Sequence, residues 1–127
     1  MGCVATIDPA LRDCNYGRWA GRTLESVQAE EPASLAQWMA DPASASHGGE
    51  SVVALVSRVG AWLDVQASTA GSIVAITHAA VIRAAIIHAL GAPARSFGHI
   101  DVAPLSMAAL SAHNGRWTLA GLGPLTR

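Results

Sequence analysis

The sequence predicts an α/β fold whose sheet ends in an antiparallel hairpin. Three observations carry this prediction. A short apolar run at residues 73–76 is followed at once by a helical pattern, an amphipathic segment precedes that run, and two apolar segments flank an Asn-Gly turn near the end of the chain. Strands that alternate with helices are typical of α/β layers, and a closing hairpin adds an antiparallel edge.

The first part of the chain predicts a strand, a loop and two short helices. Residues 3–7 alternate weakly in polarity before an Asp-Pro turn, which indicates a short strand. Residues 11–22 show no clean periodicity and are typical of a functional loop. Thr23 can cap a short helix that ends near residue 30, and Pro32 can begin a second one that reaches residue 39.

The second part predicts two longer helices, a buried strand and the hairpin. After a loop at 41–50, Ser51 begins a run with apolar residues at helical spacing. Residues 73–76 follow as a strand, and 79–90 as a helix that Gly91 and Pro93 stop. The final pair of strands, 105–111 and 117–122, is joined around Asn114-Gly115, a strong hairpin signal.

Composition excludes several classes of protein. The chain has 127 residues, 51 % of them hydrophobic and 13 % charged, which fits one folded domain and excludes disorder. A net charge of −1, with eight arginines and no lysine, gives no basic patch, so we expect no nucleic-acid partner. No apolar run approaches ~18 residues, so we expect no membrane span. Cys3 and Cys14 lack a C-x-x-C spacing, which favours reduced thiols and a cytoplasmic protein.

The N-terminal "MGCVAT" matches a myristoylation pattern, with Cys3 as a possible second lipid site. A strand that opens with small residues explains these letters as well, and we favour that interpretation.

His78 lies where the predicted buried strand gives way to a helix, the edge at which open α/β sheets bind ligands. The N–H groups of the first helical turn attract phosphate, and a nearby histidine can bind an anion or transfer protons. A histidine that only caps the helix or bonds a loop explains the position equally well. His88 fits a partly buried helix position, and His113 fits a solvated turn. His47 and His99 lie in loops near glycines, where either could face a pocket, although we favour a surface position. No histidine pair has metal-ligand spacing, so we expect no zinc site and no cofactor.

Three segments in order resemble a known family. "LRDCNYGRWAG" at 11–21 is similar to the L-x-E-x-x-x-G-x-W-x-G segment of histidine phosphatases, the phosphoglycerate-mutase-like superfamily. "HGGES" at 47–51 resembles the G-G-E-S that opens the family's long helix, with Arg58 as the arginine usual further along it. "VAITHAAVIRAAIIHALG" at 74–91 resembles the V-x-V-S-H-G-x-x-I-R segment that carries the family's second histidine. The resemblance implies a three-layer α/β/α fold with a mixed sheet and a C-terminal hairpin.

The resemblance also implies roles for individual residues. His78 matches the second histidine of the phosphate pocket, and Asp13 matches the acid that protonates the leaving group, a Glu in most members. Tyr16 falls where phosphoglycerate mutases place a substrate-contacting tyrosine, and Ala79, which replaces the family's glycine after the histidine, is a further candidate for substrate binding. Asp for Glu shortens the reach of the acid, and Ala79 narrows access to the backbone. Arg18 and Arg22 flank Trp19 and are candidate contacts for an anionic substrate, although such arginines more often pair with carboxylates, here Glu25.

One half of the family's pocket has no match in the sequence. Family members begin with a strand ending in R-H-G, whose histidine is the nucleophile, and a later R-A-x-x-T segment gives a second phosphate-binding arginine. The chain contains neither pattern. We therefore expect a single histidine-phosphatase-like domain over residues 1–127, truncated by the family's first βαβ-sized unit of ~30 residues or more.

Three functions fit these observations. The first is phosphomonoester hydrolysis, the ancestral activity, with the nucleophile absent from this chain. The second is a repurposed acid–base enzyme that uses Asp13 and His78 on a substrate without phosphate. The third is a non-catalytic binding or assembly domain, because a fold alone does not dictate function. For either enzyme the partner is a small-molecule substrate, phosphorylated in the first case.

The same absence predicts a homodimer. A sheet without its opening strands leaves backbone groups and apolar faces uncovered, and such an edge invites pairing with another chain. Because only 13 % of the residues are charged, the chain has few polar side chains that could cover this exposed edge. Two-fold association, with exchange of residues 3–7 between subunits, is an economical solution.

Overall fold

The computed structural model describes residues 4–125. Within that range, four α-helices are followed by a two-stranded antiparallel sheet, with three short 3-10 helices in the connections. The 3-10 helices are Pro9–Leu11, Gly17–Trp19 and Ala94–His99; the α-helices are α1 (Leu24–Glu30), α2 (Pro32–Ala40), α3 (Val52–Gln66) and α4 (Ala79–Leu90); the strands are β1 (Ser106–His113) and β2 (Arg116–Pro124).

Local sequence signals begin and end the helices. The Thr23 hydroxyl accepts a 3.1 Å hydrogen bond from the Ser26 N–H at the start of α1, and the Ser51 hydroxyl caps α3 in the same way. Gly91 ends α4 with a φ of 62°, a left-handed conformation that glycine adopts without steric cost. The four predicted helices are confirmed.

The main core lies between α3 and α4. Leu55 and Val59 of α3 are at most 1 % exposed, and Val81 and Ala84 of α4 at most 2 % exposed. Cys14, from the loop between the first two 3-10 helices, is buried in the same cluster. Because apolar burial stabilises this contact, the loop is held against the helix pair.

The predicted hairpin is confirmed. Asn114 and Gly115 both have positive φ, 52° and 74°, as a two-residue turn between twisted strands requires. The pairing shifts register between Ala109 and Leu110, which marks a β-bulge. Leu110 and Trp117 pack against the main core, so the hairpin covers one side of the helix pair.

The two other predicted strands are wrong as secondary structure. Residues 4–7 and 73–76 form no strand, and among residues 4–125 their backbone groups make no hydrogen bond to other backbone groups. Val74 and Ile76 are 91 % and 95 % exposed instead of buried. A strand needs a neighbour for its N–H and C=O groups, and no described segment pairs with either. The sheet within the described range is therefore the hairpin alone.

Two sequence predictions concern residues outside the described range. Cys3, the first residue of the predicted N-terminal strand, and the Gly2 and Cys3 of the lipidation pattern lie there. Within residues 4–125, no helix has the length and apolar character needed to cross a bilayer.

Candidate functional site

Asp13 and His78, distant in sequence, meet at the N-terminus of α4. Asp13 Oδ2 lies 3.7 Å from His78 Nδ1, and about half of each side chain is exposed. The Thr77 hydroxyl donates a 2.7 Å hydrogen bond to the Leu11 carbonyl, which fastens the loop to the segment before α4. The pair is therefore open to solvent and held together by a contact between its neighbours.

The imidazole of His78 does not cap α4. His78 is the N-cap residue, with an extended backbone, but its side chain makes no hydrogen bond to the first turn. The His78 carbonyl accepts from the Ile82 N–H, which closes that turn. The N–H groups of Ala79, Ala80 and Val81 are among the donors that a helix leaves unpaired, and they carry the partial positive charge of the helix N-terminus. This arrangement suits an anion beside Asp13 and His78.

Arg58 on α3 fixes the loop that carries Asp13. Its guanidinium donates to the carbonyl oxygens of Ala10 (2.7 Å) and Arg12 (3.0 Å). It also forms two 2.9 Å hydrogen bonds with the Glu50 carboxylate. These hydrogen bonds hold the pKa of Glu50 below its usual range, and both side chains are nearly buried. The sequence identified Arg58 by resemblance but gave no indication of this positioning role.

The motif loop and the 47–50 segment cross each other closely. The Arg18 N–H donates to the His47 carbonyl (3.0 Å), and the Glu50 N–H donates to the Asn15 carbonyl (2.7 Å). The Glu50 carboxylate also accepts from the Asn15 N–H. Because Glu50 holds both Arg58 and Asn15, one carboxylate links α3 to the loop around Asp13.

His47 is fully buried, so its predicted surface position is wrong. Its ring packs against Trp38, with ring centres 4.5 Å apart, and against Trp19 and Tyr16. Nδ1 accepts a hydrogen bond from the Gly49 N–H, which places the ring proton on Nε2, and Nε2 has no partner among the described residues. Burial and the nearby Arg18 charge lower the pKa of His47.

Acidification is expected to destabilise the protein through His47. An unfolded histidine has a pKa of about 6.5, and the folded value is lower. The stability associated with neutral His47 is therefore complete above about pH 6.5 and is lost as the pH falls through the folded pKa. Urea unfolding at a series of pH values should show this loss in wild type. His47→Asn keeps a hydrogen-bond acceptor for the Gly49 N–H and should reduce the slope of the unfolding free energy against pH, whereas His113→Asn should leave that slope unchanged. Equal slopes in all three proteins would contradict the assignment of this pH dependence to His47.

Tyr16 lies between the Asp13–His78 pair and the aromatic side chains around His47. Its ring contacts Trp38 edge-on, and burial, followed by the charges of Cys14 and Asp13, raises its pKa to about 12. Tyr16 therefore stays a neutral hydroxyl that can donate or accept. Burial also raises the pKa of the Cys14 thiol to about 12, which makes it a packing residue and not a nucleophile.

Arg18 and Arg22 are both held by Glu31, the residue between α1 and α2. Arg18 Nε donates to Glu31 at 2.8 Å, and Arg22 pairs with Glu31 at 3.2 Å and with Glu30 at 2.9 Å. The partner carboxylates are thus not the Glu25 suggested by sequence. Contact of these arginines with a substrate stays a prediction.

Among residues 4–125, no group of three histidine, cysteine or acidic side chains is arranged to hold a metal ion. His88 instead lies 2.8 Å from Asp64, between α4 and α3, and is partly buried as predicted.

The sequence matches the family model of the histidine phosphatase superfamily (branch 1) over residues 1–123. The chain belongs to this superfamily. The match covers all three segments that carry the resemblance, and the structure places two of them, 11–21 and 74–91, against each other at Asp13 and His78.

Individual histidine phosphatases are similar to this one in sequence and structure. Glucosyl-3-phosphoglycerate phosphatase of Mycobacterium tuberculosis is 37 % identical over 57 residues, which are 45 % of this chain and 26 % of that protein. The structure of the mycobacterial glucosyl-3-phosphoglycerate phosphatase with inorganic phosphate superposes with a TM-score of 0.79 at 26 % identity. α-Ribazole phosphatase from Shigella flexneri superposes with a TM-score of 0.75 at 24 % identity over 91 % of this chain and 59 % of that one, which shows the shared fold. These likenesses confirm the predicted fold class.

This histidine phosphatase chain spans only part of its relatives. The superposition on the phosphate-bound mycobacterial enzyme covers 93 % of this chain and 64 % of that chain. The relative therefore has polypeptide with no counterpart among these 127 residues.

Proposed function

We propose that this chain supplies the proton donor and the phosphate-stabilising histidine of a phosphomonoesterase, and that the attacking group comes from outside the chain. One observation carries the proposal: Asp13 and His78 lie 3.7 Å apart at the N-terminus of α4. Similarity to enzymes named glucosyl-3-phosphoglycerate phosphatase supports a phosphorylated small molecule as the substrate. The coarser statement, membership of the histidine phosphatase superfamily, does not depend on this proposal.

The geometry gives each group a distinct task. A phosphoryl group beside Ala79 meets the N–H donors of α4 and the ring of His78, which stabilise its negative charge. Asp13, beside His78 and itself about half exposed, gives its proton to the leaving-group oxygen as the phosphorus–oxygen bond breaks. The phosphoryl group then needs an acceptor. No Arg-His pair occurs in the sequence, so a histidine acceptor of the family type has to be supplied by other polypeptide.

The chain alone should hydrolyse p-nitrophenyl phosphate no faster than buffer. Without a nucleophile it lacks the covalent step that divides the reaction into two easier ones. The assay needs wild type, His78→Ala and Asp13→Asn, which should all be indistinguishable from the blank. Rapid turnover by wild type, with phosphate trapped on His78, would show that this histidine is itself the nucleophile and would overturn the division of roles.

We also propose a homodimer, formed through residues 4–7 and 73–76. Their exposed apolar side chains and unpaired backbone groups, within the described range, are those of an open sheet edge. Residues 73–76 lead directly into Thr77 and His78, and residues 4–7 lead into the loop of Asp13. A partner on this edge therefore brings its side chains beside the pair, and exchange of residues 3–7 between subunits is one form of the contact.

Sedimentation at micromolar concentration should give a species of twice 13.0 kDa. Val74→Lys places a charge on the proposed edge and should shift the protein toward monomer. Leu24→Lys is the matched control, because Leu24 is also exposed, at 62 %, but lies on α1. A 13.0 kDa wild-type species with a well-dispersed spectrum would contradict the dimer and, with it, a pocket completed by the partner's side chains.

We further propose a cytoplasmic location. The support is Cys14, which is a free and buried thiol, as expected in a reducing compartment.

A further inference from the structure

His47 binds its own segment and the motif loop at the same time. Its carbonyl accepts a hydrogen bond from the Arg18 N–H of the motif loop (3.0 Å), and its ring Nδ1 accepts from the Gly49 N–H, two residues on (2.9 Å). The second bond folds the segment back onto the ring, so the direction in which the chain leaves Gly49 depends on His47. The next residue is Glu50, whose carboxylate links α3 to the loop around Asp13.

The contacts continue from Glu50 to the Asp13 side chain. Glu50 holds the guanidinium of Arg58, and Arg58 also donates to the carbonyl oxygen of Asp13 itself, at 3.4 Å. Within the loop, the Cys14 N–H donates a 2.7 Å hydrogen bond to Asp13 Oδ1. Because that bond fixes one carboxylate oxygen, Oδ2 is the oxygen presented to His78. The placement of Oδ2 therefore depends on the loop backbone that Glu50 and Arg58 hold.

The bond between His47 and Gly49 exists only while the imidazole is neutral. Protonation places a hydrogen on Nδ1, so the ring would then direct a donor at the Gly49 N–H, which is itself a donor. The His47 side chain is fully buried, so water cannot replace the lost partner of either group. A change of charge at His47 is thus also a change in the backbone contact that leads to Glu50.

The groups around the ring do not compensate a positive charge there. Burial, and then the positive charge of Arg18, lower the pKa of His47. Tyr16 remains neutral, because burial raises its pKa to about 12. From α2, the ring of Trp38 packs on the imidazole and carries no charge. Glu31, at the start of that helix, already binds Arg18.

We propose that His47 is a positioning residue for Asp13, and that it acts through the hydrogen bond that its neutral ring accepts from Gly49. When this bond is lost, Glu50 is displaced and the loop that presents Asp13 to His78 is released. The acid is therefore correctly placed above about pH 6.5, the pKa of an unfolded histidine, and is misplaced as the pH falls through the lower pKa of the folded protein. The inference rests on the proposed function, because it takes Asp13 to be the proton donor.

Amide spectra of the ligand-free protein at a series of pH values test the proposal. The Cys14 amide proton reports on Asp13, because a hydrogen bond to a carboxylate is short and strong and moves the signal downfield. In wild type, the signals of Gly49 and Cys14 should shift together, with the midpoint of the His47 ring signal. Movement of the Gly49 signal at that midpoint without movement of the Cys14 signal would overturn the proposal.

Two substitutions separate the hydrogen bond from the packing of the ring. His47→Asn supplies an acceptor close to the position of Nδ1 but leaves part of the ring volume empty. It should keep the Cys14 signal at its wild-type position and remove the shift at the His47 midpoint. His47→Phe fills the volume without an acceptor, and should move the Cys14 signal at every pH in the direction that acid does in wild type. His113→Asn, in the exposed turn, is the control and should match wild type.

The reverse pattern, with the Phe variant like wild type and the Asn variant shifted, would show that packing alone positions the loop and would overturn the proposal. If neither variant folds, the wild-type pH series decides the question. The experiment contains no phosphate, so its failure leaves the proposed phosphate site standing. Failure of vanadate to bind at Ala79 would instead remove that site and leave the coupling from His47 to Asp13 standing.

Discussion

Replacement of Gly49 with alanine is expected to lower the free energy of unfolding by about 3 kcal/mol, the upper end of the cost of overpacking. A Cβ at this position would lie 2.6 Å from the backbone nitrogen of Gly17 and would also overlap the Asn15 carbonyl oxygen. Both neighbours are backbone atoms, so no side chain can rotate away. The motif loop and the 47–50 segment would have to separate.

The adjacent glycine is the matched control. Gly48 has a φ of +82°, but an added Cβ there would come no closer than 3.8 Å to the Arg18 side chain. Gly48→Ala should therefore cost only the left-handed backbone strain, about 1 kcal/mol. Urea unfolding of both variants gives the comparison. Equal losses would contradict the prediction that the close approach of position 49 to Gly17 is what requires glycine there.

The Gly49 variant should also disturb the candidate site. Separation of the two segments would break the hydrogen bond from the Glu50 N–H to the Asn15 carbonyl. Glu50 also holds Arg58, which donates to the carbonyls of the loop around Asp13. The Gly49→Ala substitution is thus expected to move Asp13 away from His78.

The helices and the hairpin were predictable because their signals are local. Thr23, Ser51, Gly91 and the Asn114-Gly115 turn each satisfy a backbone requirement within a few residues, and the structure uses all of them. The two strand predictions were wrong because a strand depends on contacts that are not local. The apolar run at 73–76 has strand composition, but a strand is a pairing between segments, and no described segment pairs with it.

The juxtaposition of Asp13 and His78 was predicted by resemblance and not by spacing. The order of the motif segments indicated that Asp13 and His78 belong to one pocket, and they lie 3.7 Å apart. The supporting contacts were not predictable, because they join residues far apart in sequence. Arg58 reaches Ala10 across 48 positions, and His47 is buried by Trp19 and Trp38, whose approach no periodicity encodes.

Loss of the His78 ring is expected to weaken oxyanion binding about tenfold or more, since a hydrogen bond to a charged group contributes about 1.5–3 kcal/mol. Vanadate should bind wild type weakly, because the helix donors and His78 act without the family's paired arginines. His113→Ala, in the exposed hairpin turn, is the control and should bind as wild type does. Asp13→Asn removes a negative charge beside the site and should not weaken binding.

Titration of the chain with vanadate, followed by the amide signals of Ala79, Ala80 and Val81, tests the central claim most directly. If Asp13 and His78 flank a phosphate site, these three signals shift progressively in wild type, and the midpoint moves to higher vanadate in His78→Ala but not in His113→Ala. Clear shifts elsewhere with none at these three residues, or equal midpoints in wild type and His78→Ala, would contradict the account.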